Sequence, residues 1–266
     1  MPTPRITLTT DYGLADGFVA ACHGVIAGLA PHARVVDVTH LVPAGDVRRG
    51  ALVLARTLPW FPGGSVHVAV VDPGVGTARR GIVVLAGRHT LVGPDNGLLM
   101  WAAEALGGVD EVREITAGAL PPGPVSRTFH GRDVFAPIAA RITLGLAPAD
   151  IGPRVDDPVR PPEPRPGEVL LVDGFGNVQL AHRTAEFAGA DTLRLGVGGA
   201  TYRVPLHDTF ADVPEGELVA YEDSAGLLAI SVNRGDAGAT IGVREGDRVD
   251  VRPDDDRAGA GTVPTG

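Results

Sequence analysis

Hydrophobic runs alternate with segments of helical period along residues 1–152. The runs are rich in Val and Ile, as expected of strands that are buried on both faces. The predicted strands are Ile6 to Leu8, Val35 to Val38, Val66 to Val71 and Gly81 to Leu85, and the predicted helices follow Asp16 and cover Asp46 to Leu58 and Asn96 to Leu106. This alternation predicts an α/β fold in which helices cover a mostly parallel sheet.

The pattern changes after residue 152. Residues 153–167 are rich in proline and charge, which disfavours a helix and leaves little to bury. Short strand-like runs separated by glycines then follow, which is typical of a small antiparallel barrel or sandwich. We therefore predict an N-terminal α/β domain over 1–152, a proline-rich linker over 153–167, a smaller C-terminal antiparallel β-barrel domain over 168–252 and a disordered tail over 253–266.

Composition excludes several classes of function. All 23 basic residues are arginine, so the chain has no Schiff-base lysine and no Gly-Lys-Ser/Thr phosphate loop. Cys22 is the only cysteine, which excludes an intrachain disulfide and a cysteine-rich metal centre. The formal charge of −9 argues against binding to nucleic acid through phosphates. With no signal-peptide pattern and no long apolar span, we expect a soluble, cytoplasmic protein that binds no membrane.

Carboxylates follow two of the predicted strands. Asp72 comes directly after Val66 to Val71, and a Gly/Pro turn separates it from Arg79, close enough in sequence to pair with it. Asp11 follows the first strand in the same way, and a carboxylate there suits the two hydroxyls of a ribose. Ligands of α/β proteins bind at such strand ends. The alternatives are a structural ion pair for Asp72 and a turn-stabilising role for Asp11.

Two further segments combine glycine with groups able to bind a ligand. His130 is followed by Gly131, Arg132 and Asp133, and the alternative is a loop histidine before a helix capped by Asp133. No His-Glu-x-x-His or similar spacing indicates a metal site. Phe175 has a glycine on each side, so its ring is available to stack on a planar base; the alternative is a hairpin turn with a buried aromatic ring.

Six segments stand in an order that resembles the S-adenosyl-L-methionine (SAM) hydroxide adenosyltransferase family, the adenosine-forming SAM hydrolases related to the fluorinase and chlorinase. The resemblance covers roughly residues 5–252 and rests on Thr10-Asp11-Tyr12-Gly13, Asp72-Pro73-Gly74-Val75-Gly76 with Arg79, Gly93-Pro94-Asp95-Asn96-Gly97, Phe129-His130-Gly131-Arg132-Asp133, Phe175-Gly176-Asn177 and Ser231-Val232-Asn233. It implies an N-terminal α/β domain joined to a C-terminal β-barrel. It also implies a homotrimer in which SAM lies between subunits, with SAM as substrate and no cofactor.

The resemblance also implies a role for each site residue. Asp72, Arg79 and His130 are the implied catalytic set that holds the attacking water. The implied substrate contacts are the ribose diol at Asp11, the methionine amino and carboxylate groups near Asp173 and Ser224, the adenine at Phe175 and Asn177, and a closing backbone at Asn233 and Arg234. No metal is implied. Ala225 stands where the halogenases have an arginine, which leaves the partner of the methionine carboxylate open.

The implied reaction is hydrolysis of SAM to adenosine and L-methionine by attack of water or hydroxide at ribose C5′. The sulfonium is already an activated leaving group, so the protein must supply in-line positioning and a dry pocket. Asp72 is able to accept a proton from the water, whereas Arg79 beside it weakens it as a base and favours a hydroxide held beforehand.

Two other functions fit parts of the pattern. A SAM-dependent halogenase would give 5′-halo-5′-deoxyadenosine, but Asp72 would repel a halide, and the halogenases have tyrosine at the positions of Asp72 and His130. A non-catalytic adenosine- or SAM-binding sensor would not need all three of Asp72, Arg79 and His130. Both alternatives are separated from the hydrolase by product analysis.

Overall fold

The computed structural model describes residues 3–254 of the chain. The chain divides into two units, Met1–Pro162 and Glu163–Gly266, here called the first and second units. Residues 255–266, most of the predicted disordered tail, lie outside the described residues. Among residues 3–254, the helices are all too short or too polar to cross a bilayer.

A six-stranded sheet forms the centre of the first unit. Its strands are β1 (Arg5–Thr10), β2 (Arg34–Thr39), β3 (Val66–Val70), β4 (Gly81–Ala86), β5 (His89–Pro94) and β6 (Glu111–Glu114). Their order is β2-β1-β3-β5-β4-β6, with the first four parallel and β4 antiparallel to both of its neighbours. The prediction of a mostly parallel sheet is confirmed.

Helices cover both faces of this sheet. They are α1 (Phe18–Leu29), α2 (Val47–Thr57), α3 (Met100–Ala105), α4 (Ala136–Thr143) and α5 (Pro148–Ile151). On one face Ile26 of α1 and Ile138 of α4 pack on the sheet, and on the other face Leu54 of α2 and Met100 of α3 do so. Every residue of β3 is buried, which explains its Val-rich sequence.

Part of the predicted linker packs along the first unit. Val155 is buried there, Arg80 bonds Asp157, and the Val159 N–H donates to Asp95 at 2.8 Å. Residues 153–162 therefore have fixed contacts with the α/β unit, because charged and apolar side chains between the prolines find partners on it.

The second unit is built from antiparallel strands. They are β7 (Val169–Val172), β8 (Val178–Arg183), β9 (Thr192–Val197), β10 (Ala200–Pro205), β11 (Leu218–Glu222), β12 (Leu227–Val232) and β13 (Asp250–Pro253), with the helix α6 (Ala237–Ile241) after β12. They form the sheets β10-β9-β13 and β11-β12-β8-β7, which share one hydrophobic core. Only isolated bridges such as Leu206↔Ala220 join them within residues 3–254, so the antiparallel prediction is confirmed but the strands form two sheets and no closed barrel.

Candidate active site

The site of the first unit lies where the chain order of the strands reverses. From β1 the chain continues to β2 on one side, whereas β3 lies on the other side of β1. Asp11 follows β1 and Asp72 follows β3, so both carboxylates come to the carboxyl edge of the sheet, where α/β folds form ligand crevices. A cavity of about 250 Å³ opens there. It is lined by Asp11, Tyr12, Gly45, Val70, Asp72, Pro73, Val75, Thr128, His130 and Gly131.

The structure brings Asp72, Arg79 and His130 together. Arg79 Nε donates to Asp72 Oδ1 at 2.9 Å, and its Nη2 contacts Asp72 Oδ2 and lies 2.7 Å from His130 Nδ1. The Asp72 and Arg79 side chains are only 5% and 11% exposed. Gly76 (φ +77°) lets the intervening turn approach the segment before His130, because a Cβ at this position would lie 2.6 Å from the Arg127 carbonyl oxygen.

This contact determines which ring nitrogen of His130 carries the proton. A guanidinium only donates, so Nδ1 of His130 accepts and the neutral ring has its proton on Nε2. Burial, and next the nearby Arg79 charge, lower the pKa of His130. The ring is therefore neutral near pH 7 and offers an N–H at Nε2.

His130 precedes a π-helical turn, Gly131–Phe135, that leads into α4. Such turns occur often at functional sites. Asp133 accepts bonds from Arg132 and from the Ser126 N–H, so it fixes the preceding loop and does not cap the helix.

The loop that carries Asp11 is held by a residue that the sequence analysis did not select. His40 Nδ1 lies 2.9 Å from Thr10 Oγ1, which accepts the Tyr12 N–H at 3.2 Å. Asp11 Oδ2 accepts the Gly45 N–H at 2.8 Å. Asp11 thus ties two loops together and also lines the cavity, so its turn-stabilising and ligand-facing interpretations are compatible.

A second concave surface, of about 1050 Å³, lies on the second unit. Phe175 is 82% exposed and Phe210 is 50% exposed, and both line it. The full lining is Asp173, Phe175, Asn177, Phe210, Ala211, Glu215, Val232, Asn233, Arg234 and Gly235. The exposed Phe175 ring excludes the alternative of a buried hairpin aromatic, and Phe210 was missed because it lies outside any glycine-flanked motif.

Polar residues on this surface are already held by neighbours. Asp173 Oδ1 accepts the N–H groups of Phe175 and Asn177, both at 2.9 Å, and its Oδ2 accepts from the Asn177 side chain at 2.8 Å. Ser231 Oγ donates to Asn177 Oδ1 at 2.5 Å and contacts Tyr221 Oη at 3.2 Å. The Asn177 side chain is therefore fixed from two sides, by Asp173 at its nitrogen and by Ser231 at its oxygen.

Asn233 and Arg234 lie beyond the end of β12. Asn233 Nδ2 donates to the Val213 carbonyl at 2.7 Å, and Arg234 (φ +57°) pairs with Glu215 at 3.1 Å. Ser224 is placed differently from the other predicted contacts: it lies in the turn between β11 and β12, at the opposite end of β12 from Asn233, and does not line this surface.

A crevice at the switch point of an α/β sheet, lined by residues of a partly buried Asp–Arg–His set, defines an α/β protein with a candidate active site. Sequence comparison identifies its class further. The family model of the SAM hydroxide adenosyltransferase N-terminal domain matches residues 6–152, and that of the C-terminal domain matches residues 167–250. The chain belongs to the SAM hydroxide adenosyltransferase family.

Individual relatives agree with this family. A protein of Salinispora arenicola named (R)-S-adenosyl-L-methionine hydrolase is 57% identical over 261 residues, covering 94% of this chain and 98% of the relative. One of that name from Thermus thermophilus is 46% identical, covering 89% and 95%. A fluorinase of Actinoplanes sp. is 29% identical, covering 86% and 91%. The crystal structure of an uncharacterized conserved protein from Thermotoga maritima matches with a TM-score of 0.87 at 38% identity, covering 93% and 100%.

Proposed function

We propose that this protein hydrolyses SAM to adenosine and L-methionine by attack of water or hydroxide at ribose C5′. The observation that carries the proposal is the joined Asp72–Arg79–His130 set beside Asp11 in one cavity. Relatives that share 46–57% of their residues with this chain are named (R)-SAM hydrolases, whereas the fluorinases are more distant.

The three residues have complementary roles in this reaction. Asp72 accepts a hydrogen bond from the O–H of the water or hydroxide, and takes the proton where water is the nucleophile, while His130 donates its Nε2–H to the oxygen. Arg79 holds both partners in place and compensates the Asp72 charge. The oxygen then forms its bond to C5′ while the C5′–S bond breaks and its electron pair goes to sulfur. Because methionine leaves as a neutral thioether, no general acid is required.

The role of Asp11 as the ribose contact is supported by its place in the cavity. Its Oδ2 accepts the Gly45 N–H, and the carboxylate lines the same cavity as Asp72. We propose that it accepts hydrogen bonds from the ribose diol and so sets C5′ in line with the water. Such positioning supplies several kcal/mol of the barrier reduction in well-oriented reactions.

The sulfonium of SAM is a stereocentre, so SAM exists as two epimers at sulfur. We propose that the (R)-epimer is preferred, as the names of the relatives indicate. Incubation with a mixture of both epimers, followed by chromatography that separates them, tests this. Loss of (R)-SAM with matching release of adenosine is expected. Faster loss of the (S)-epimer would contradict the preference but not the hydrolysis.

Product analysis separates hydrolysis from the alternatives. The protein is incubated with SAM, with and without chloride and with and without a chelator, and the products are separated. We expect adenosine and L-methionine under all four conditions, with no added metal. A 5′-chloro-5′-deoxyadenosine product would support a halogenase, and binding of SAM without any product would support a sensor.

We also propose a homotrimer in which a neighbouring chain completes each site. Support comes from the division of the proposed contacts between the two units, and from the exposed rings of Phe175 and Phe210. The test is co-expression of Asp72→Ala with Phe175→Ala, each inactive alone. If sites are shared between chains, random assembly of the two variants gives about one site in four an intact first unit together with an intact second unit. About a quarter of wild-type turnover would then be restored. Sites within one chain would restore none.

A further inference from the structure

Tyr12 lines the same cavity as Asp72 and His130 but has no place in the reaction as described so far. Its ring is fixed by a tilted contact to Phe18 and an edge contact to Phe129, with centroids 5.8 Å and 5.7 Å away. Gly131, next to His130, leaves room for its hydroxyl: a Cβ at residue 131 would overlap Oη and lie 3.1 Å from Cζ. The hydroxyl is therefore held beside the residue that follows His130.

The hydroxyl is available to a ligand. Within residues 3–254 the Tyr12 hydroxyl makes no hydrogen bond. The other hydroxyl that lines the cavity, that of Thr128, contacts Ser126 at 3.3 Å. Burial raises the pKa of Tyr12 well above its usual range, so the group remains a neutral O–H at any physiological pH. A fixed, protonated and unpaired hydroxyl in a catalytic cavity is a ready hydrogen-bond donor.

The proposed reaction needs such a donor. Both carboxylate oxygens of Asp72 already accept hydrogen bonds from Arg79. When the nucleophile is hydroxide, its O–H donates to Asp72 and its oxygen has three lone pairs. One lone pair forms the bond to C5′ and one accepts the His130 Nε2–H, so the third has a place for a further donor.

We propose that the Tyr12 hydroxyl donates this further hydrogen bond to the nucleophilic oxygen and is a catalytic residue of the reaction. The inference rests on the proposed hydrolysis. Since the bond acts on the nucleophile and not on SAM, its loss lowers kcat and leaves KM nearly unchanged.

The test is Tyr12→Phe, which keeps the ring contacts to Phe18 and Phe129 and removes only the oxygen. A hydrogen bond to a charged group contributes about 1.5 kcal/mol or more, so we expect kcat to fall about tenfold or more, with KM within about twofold of wild type. Melting temperature should be unchanged. Tyr202→Phe, at a half-buried position on β10, is the matched control and should retain wild-type kcat.

Each other outcome has a definite meaning. Wild-type kcat in Tyr12→Phe overturns the inference. A raised KM with unchanged kcat also overturns it, because the hydroxyl would then bind ground-state substrate. A lower melting temperature with normal turnover of the folded fraction assigns Tyr12 a structural role. If the wild-type protein releases no adenosine from SAM, the proposed function fails, and this inference fails with it.

Discussion

Acid should destabilise the first unit through His67, a histidine outside the active site. His67 lies on β3 with 0% exposure. Its Nδ1 is 2.9 Å from Thr7 Oγ1 and its Nε2 is 3.0 Å from His89 Nδ1, with the two imidazole rings stacked at 5.3 Å. Burial, and next the proximity of His89, lower the pKa of His67 to about 3. No cation is accommodated easily between these partners.

The sign and size of the effect follow from proton linkage. The unfolded histidine has a pKa near 6.5, so between about pH 6.5 and pH 3 the unfolded chain binds a proton that the folded chain does not. Stability is therefore lost as the pH falls through that window. At about 1.4 kcal/mol per pKa unit, the loss reaches about 3 kcal/mol at pH 4.5 and approaches 5 kcal/mol near pH 3.

Urea unfolding measured by tryptophan fluorescence tests this, because Trp60 and Trp101 both belong to the first unit. We compare wild type with His67→Gln and with His32→Gln, an exposed histidine as the control. Between pH 6 and pH 4, the free energy of unfolding should fall less steeply in His67→Gln, by up to about 1.4 kcal/mol per pH unit. Equal slopes in wild type and His67→Gln would refute the reasoning, as would a His67 ring signal that titrates above pH 5 in NMR spectra.

Three further predictions concern the proposed site. Asp72→Ala or His130→Ala should lower the rate of single-turnover hydrolysis by about two orders of magnitude or more, since both residues act on the nucleophile. SAM binding measured by calorimetry should persist. Near-normal turnover of a folded but less stable Asp72→Ala variant would mean that the carboxylate only stabilises the loop. Asp11→Ala should weaken SAM binding measured in the same calorimeter, because a ribose hydroxyl loses its acceptor. Gly131→Ala should lower the melting temperature, and adding Tyr12→Phe should restore part of it, because the overlapping oxygen is gone while Cζ and Cε2 stay 3.1 Å and 3.3 Å from the new Cβ. No restoration would place the strain elsewhere.

The features that the sequence predicted well depend on residues that are close together along the chain. The pairing of Asp72 with Arg79 spans seven positions across a turn, so the short separation already brings the two groups together. The Val-rich strands predicted a buried parallel sheet because only both-sided burial explains a run such as that of β3. The approach of His130, 51 positions from Arg79, is a tertiary contact that only the family resemblance anticipated.

The features that the sequence did not predict depend on long-range packing. Strand spacing in the second unit indicated antiparallel pairing but not whether the strands close into a barrel. Closure depends on whether the edge strands of the sheet pair with one another. Ser224 sits at the far end of β12 from the other proposed contacts, a placement set by hairpin register. The proposed role of Tyr12 rests on its contact with Gly131 and on a hydroxyl that has no hydrogen-bond partner among the described residues 3–254, and neither feature has a sequence pattern.

The contacts of Arg79 explain how the proposed catalytic residues Asp72 and His130 are held together. One planar guanidinium contacts both Asp72 and His130, and its remaining face lies over the Phe135 ring at 5.3 Å. A lysine ammonium has no such fork and could not hold a carboxylate and an imidazole in one plane. By donating to His130 Nδ1, Arg79 also assigns the ring proton to Nε2. A single side chain therefore fixes the carboxylate and orients the Nε2–H donor, which suits the proposed reaction, whose leaving group is already activated and whose nucleophile must be positioned.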